Sequence, residues 1–152
     1  MKQFNKPLDN MGGVLRIWAV PPADISVSGS VATFSKTTDI VAMYASPGSM
    51  GFSEKQKEGA GGTFFDVELN GFIPNDSKET SELIAYMCRR RWMVIYIDQN
   101  ENYKVAGTAS NPLRVGFDLD TGSDTPNRNG HSVKFYGKQL QKSIFISNPF
   151  VV

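Results

Sequence analysis

The sequence predicts a mainly β domain, an antiparallel β-sandwich or partly closed barrel with one α-helix at about 77–90. Three observations carry that expectation. Short runs rich in β-branched and aromatic residues recur along the chain, cut by Gly, Pro, Asn and Asp. The clearest run, "TFFDVELNGFI" (63–73), alternates, with Phe65, Val67 and Leu69 facing one way and Asp66, Glu68 and Asn70 the other. Only one stretch, "PNDSKETSELIAYMCRRR", carries helix punctuation and helical spacing.

Residues 1–13 are polar, end in "NMGG" and read as an N-terminal arm. A single β-rich domain spans 14–147, and 148–152 form a C-terminal tail. "VLRIWAV" (14–20) is the first strand, with Leu15, Ile17 and Ala19 expected on one face, and Pro21 and Pro22 stop it. Short strands follow at 25–27, 31–34 and 39–45. The glycine-rich, charged stretch 46–62 reads as a long loop, a hairpin with a flexible tip.

The helix is expected to start at Asp76 or Ser77, with Asp76 and Glu79 able to form a capping box. Leu83, Ile84, Met87 and Cys88 make its buried stripe, and Arg89 to Arg91 sit at the negative end of its dipole. "WMVIYID" (92–98) is apolar on both faces and therefore central. "QNEN" turns the chain into its partner at 103–109. "LRVGFDL" (113–119) points Leu113, Val115, Phe117 and Leu119 inward, and "HSVKFYG" (131–137) does the same with Val133 and Phe135. "SIFIS" (143–147) is an edge strand.

Composition narrows the function. The 152 residues carry a net charge of +1, too weak a field to argue for nucleic acid or an anionic membrane. No apolar run approaches the roughly 20 residues of a membrane span. The start, "MKQFNKPLDN", lacks the apolar core of a signal peptide, so the expected setting is inside a cell or a particle assembled there. One cysteine, Cys88, and one histidine, His131, cannot make a disulfide or a zinc site of the usual N/S type within one chain.

The stretch "FDLDTGSDTPNRNGH" (117–131) carries the only concentrated chemistry. "LDTGSD" looks close to the aspartic-protease motif, which needs two carboxylates about 3 Å apart sharing a proton. Asp118 stands where those enzymes place an apolar residue, and no apolar-apolar-Gly brace follows. As a calcium loop it starts well with Asp118 and Asp120, but Gly122 comes one place early and Asn129 stands where glutamate belongs. Asp120, Ser123 and Asp124 remain candidate calcium ligands. The third reading is a long β-hairpin loop, built of the residues such loops favour.

No phosphate-binding glycine loop or nucleophile elbow appears. His131 reads as a surface residue at a strand start, and its neighbour Ser132 points to the opposite face. The glutamates are scattered without a visible pair, so no enzyme and no cofactor is expected.

One resemblance runs through residues 62–140, about half the chain. Its signature is Asp98 and Asn100 closing the central strand, then Gly107, Thr108, Pro112, Leu113 and Arg114. An Asp120-Thr121-Gly122 turn follows, and Arg128, Asn129, Gly130, Val133, Phe135 and Gly137 complete it. This order resembles small virion proteins of tailed bacteriophages and prophages of Bacteroides-type gut bacteria, crAss-like phages among them. The match departs at "QNEN", which lacks the expected glycine, and residues 1–60 lie outside it. The resemblance implies a tail-tube or connector-like fold. It implies a structural subunit of the tail or head–tail connector, located in the virion. Its partners would be copies of itself in a homo-oligomeric ring and neighbouring virion proteins. The contact surfaces expected on that basis are the N-terminal arm and loops 46–62 and 118–130, with Ser49, Phe52, Lys55, Lys57, Asp118, Asp124 and Arg128. A β-sandwich binding module for carbohydrate or a protein partner is the rival. It would present exposed aromatics, for which Trp18, Tyr44, Trp92 and Tyr136 are the candidates.

Overall fold

The computed structural model describes residues 1–4, 11–124 and 128–150. Residues 5–10 of the expected arm, 125–127 of the acidic loop and 151–152 of the tail lie outside the described residues.

The strands are β1 (Val14–Val20), β2 (Ile25–Ser28), β3 (Val31–Phe34), β4 (Val41–Met43), β5 (Gly51–Gly59) and β6 (Gly62–Pro74). Helix α1 (Lys78–Cys88) precedes β7 (Met93–Asp98), β8 (Tyr103–Ala106), β9 (Arg114–Asp120), β10 (Gly130–Gln139) and β11 (Ile144–Ile146). All pairings are antiparallel. They build a five-stranded sheet ordered β11-β8-β7-β1-β4, a four-stranded sheet ordered β5-β6-β10-β9, and the β2-β3 hairpin. The fold is therefore mainly β with one helix and no closed barrel.

Strand β7 explains the layering. Its alternate residues Val94 and Tyr96 join a core with Val67 and Leu69 of β6 and Val133 and Phe135 of β10, so the two large sheets share this interior. Met93 and Ile95 face the other way, into a second cluster with Ile25 and Ala32 from the small hairpin. A strand covered on both faces must be apolar throughout, as "MVIYID" is.

Helix α1 closes the main core with Ile84 and Met87. Ser77 caps it, its Oγ accepting from Thr80 N at 3.1 Å. Asp76 instead accepts from the Ser81 hydroxyl at 2.6 Å, so no Asp76–Glu79 box forms. Ser77→Ala is expected to cost about 1 kcal/mol, seen as a lower urea midpoint with an unchanged slope. The helix ends at Cys88, which places Arg89 to Arg91 just past its last turn, and Arg90 stacks over Tyr86 at 4.4 Å.

Several expectations need correction. The hairpin expected at 46–62 is present, but its arm is strand rather than loop: from Gly51 it is strand β5, paired with β6 down to Gly59 and Gly62 around a two-residue turn. Its polar sequence reflects an edge strand exposed on several sides. Leu15 faces solvent at 45% exposure because the register slips between Val14 and Arg16, and Val14 is buried in its place. Leu83 is exposed as well. Phe117 and Leu119 share the parity of Leu113 and Val115 but are 47% and 44% exposed. The core extends only to Val115 along β9.

Candidate assembly surface

The outer face of the four-stranded sheet is the most distinctive surface. Its alternate positions are Lys55 and Lys57 on β5, Asp66 and Glu68 on β6, Lys134 and Lys138 on β10, and Arg114 and Asp118 on β9. They are polar because the partner sheet covers only the other face. Lys57 pairs with Asp66 at 2.5 Å, and that hydrogen bond holds the Asp66 carboxyl below its usual range. Lys138 lies over the Phe64 ring and Lys134 over Tyr136. Two strands end this sheet, β5 and β9, and among the described residues each is paired along one side only. Lysines mark the outer face of β5; Asp118 and Asp120 mark the far end of β9.

The residues expected at subunit contacts divide between surface and interior. Lys55, Lys57, Asp118, Asp124 and Arg128 are exposed, and Arg128 stacks on Phe72 at 5.0 Å. Phe52 turns inward instead and packs on Tyr96 with ring centroids 4.6 Å apart. Ser49 is half-buried and structural, donating to Ser46 O at 2.6 Å and accepting from Phe72 N at 3.1 Å. Sequence could not separate these two from the exposed set, because the register of β5 turns Phe52 inward and the bonds to Ser46 and Phe72 fix Ser49.

Asp118 and Asp120 of the acidic segment lie on β9, and the described residues just after them turn locally. Asp120 Oδ1 accepts from Gly122 N at 2.8 Å, which uses this oxygen locally. Among the described residues, no three His, Cys, Asp or Glu side chains group as a metal site requires. Asp120, Ser123 and Asp124 therefore lack a third acidic ligand from elsewhere in the described fold.

His131 is a further correction. It is buried at 1% exposure at the start of β10, where Asp76, just ahead of α1, and Phe117 of β9 approach it. Its Nε2 lies 3.7 Å from Asp76 Oδ1, its ring sits 5.8 Å from Phe117, and its Nδ1 has no hydrogen-bond partner among the described residues. Ser81, Asp76 and His131 thus meet, but with the carboxylate in the middle. Activating a serine hydroxyl requires the imidazole between serine and carboxylate, so this arrangement is not a catalytic triad. Burial raises the Cys88 thiol above its ordinary range, which makes it a poor nucleophile.

The aromatic candidates do not form one platform. Trp92 is fully buried, Trp18 packs at a tilt against Phe150, Tyr44 lies beyond β4, and Tyr136 stands on the other sheet. Two polar residues, buried Gln139 and half-buried Glu54, carried no sequence signal. Gln139 accepts from Gly107 N at 2.7 Å, and Glu54 accepts from Ser143 N at 2.7 Å. No helix among the described residues is long and apolar enough to cross a membrane. No known protein family, curated protein or solved structure matches the chain.

Proposed function

We propose that this chain is a non-enzymatic structural subunit of a tailed-phage particle, forming an oligomeric ring of the tail or head–tail connector. The supporting observation is the four-stranded sheet with its two edge strands, Lys55 and Lys57 on the outer face of β5 and Asp118 and Asp120 toward the end of β9. Because the strand number is even and every pairing antiparallel, a neighbour related by rotation brings its β5 antiparallel to β9.

The charges suggest a register for this junction. Asp118 is level with Phe72 of β6, through Ser132, while Lys55 is level with Asp66. Setting Lys55 of one copy opposite Asp118 of the next offsets successive copies by the Asp66-to-Phe72 distance, roughly 20 Å along the strands. Each copy is roughly 19 Å wide in the hydrogen-bonding direction. The strands would then tilt by about 45° to the ring axis, close to the 35–45° of closed barrels. The other sheet and the helix occupy the opposite face, so the charged face would line the inside of the ring.

Light scattering over a concentration series, with negative-stain images of the same fractions, tests this reading. Rings or tubes are expected. Lys55→Glu or Asp118→Lys alone should leave the protein monomeric, and the double variant should assemble again, because like charges face each other only in the single variants. A wild-type chain that stays monomeric at millimolar concentration, without fibres or rings, would count against self-assembly.

A further inference from the structure

A cavity of about 380 Å³ lies between the β2-β3 hairpin and the outer face of the five-stranded sheet, away from the charged sheet. Ile25 and Val27 of β2, Met93 of β7 and Val105 of β8 supply its apolar walls. Gln139, only 2% exposed, is at its lining. The Gln139 amide oxygen is taken by Gly107 N at 2.7 Å, while its Nε2 has only a long 3.4 Å contact to Ser143 Oγ. An amide nitrogen carries two hydrogens, so a donor remains for something else. Lys142 is exposed on the same lining, where no acidic side chain is present, and it forms no ion pair among the described residues.

We propose that this cavity binds a medium-chain aliphatic carboxylate, with its alkyl chain against Ile25, Val27, Met93 and Val105 and its carboxylate met by Lys142 and the Gln139 amide. An apolar enclosure with few polar groups is the usual form of a small-molecule site, and this volume is at the small end of the roughly 300–1,000 Å³ range. It suits a chain of roughly eight carbons rather than a full-length lipid. Lys142 is the one cation on the lining and no acid lines it, the nearby Glu54 carboxylate being taken by Ser143 N at 2.7 Å; this favours an anionic head group over a cationic one. The site is independent of ring assembly.

The test uses the whole chain with methyl-labelled methionine, because one of its 6 methionines, Met93, lines the cavity and reports directly. Octanoate is expected to move the Met93 methyl resonance in a saturable way and leave Met43, Met50 and Met87 in place. Affinity should rise roughly fourfold per added methylene from hexanoate to octanoate. Lys142→Ala should weaken octanoate roughly fivefold and leave octanol unchanged, since it removes only the charge contact. Ala109→Trp, at an exposed position on the lining, should block the cavity while the thermal melt stays unchanged. Three results would overturn the proposal: no saturable Met93 shift, octylamine binding as tightly as octanoate, or octanoate binding unaffected in a folded Ala109→Trp protein. A Met93 shift that tracks protein concentration without ligand would assign the cavity to a second copy of the chain and overturn it as well.

Discussion

Trp92→Ala is expected to destabilise the protein by about 3–5 kcal/mol, the range for deleting a large buried aromatic side chain. Trp92 has no exposed surface and is the largest fully buried side chain. It stands where three elements meet. Its Nε1 donates to Met87 O at 2.9 Å, its backbone bridges Leu113 in both directions, and its ring lies 6.2 Å from Tyr86. Alanine keeps the backbone bridge but leaves a cavity between helix and sheets and removes one of the donors to the helix-end carbonyl of Met87, which keeps Arg90 N at 3.1 Å. At roughly 2–4 °C per kcal/mol for a chain of this size, the melting temperature should fall by about 6–20 °C. Trp92→Phe should retain most of the packing and lose the hydrogen bond, at roughly 1–2 kcal/mol. A loss below about 1 kcal/mol for the alanine variant would mean that the helix does not depend on this contact.

Gly130→Ala is the second large effect, and it is purely steric. A β-carbon there would sit 2.3 Å from the Ile73 carbonyl oxygen and 2.7 Å from Phe72 Cζ. The carbonyl belongs to β6, which pairs with β10 along its whole length, so it cannot retreat without opening the ladder. A cost of about 3 kcal/mol is expected, at the upper end for overpacking. Gly116→Ala on β9 is the matched control, because its β-carbon would meet Tyr136 at 3.5 Å, an ordinary contact. That change should stay within about 0.5 kcal/mol. Equal denaturation midpoints for the two variants would show that the Gly130 strand junction yields more easily than its geometry implies.

Elements whose burial repeats with a local period were readable in advance. Strand β7 is apolar on both faces and is central; β6 and β10 alternate, and their inward residues are the core. The helix was placed by its cap and spacing, and Ser77 prevailed over Asp76 because Ser81 takes the carboxylate. Strand β5 was not readable. An edge strand with one inward aromatic, Phe52, has nearly the composition of a loop, and only pairing with β6 reveals it. His131 was misjudged for a related reason. Its strand position predicts one face or the other, but its surroundings include Asp76, ahead of α1, and Phe117 of β9, contacts that join distant parts of the chain.

The amino-acid sequence by itself determined the β-rich class, the single capped helix, the central strand and the turn character of the acidic segment. Those properties depend on residues within a few positions of each other. Only the tertiary structure decided that Lys55 and Lys57 share a face with Asp118, that β5 and β9 bound the same sheet, and that Ile25, Met93 and Lys142 surround one cavity. Sheet order sets those relationships. It follows from which apolar faces can be buried together over long stretches of chain, a choice that no local pattern records.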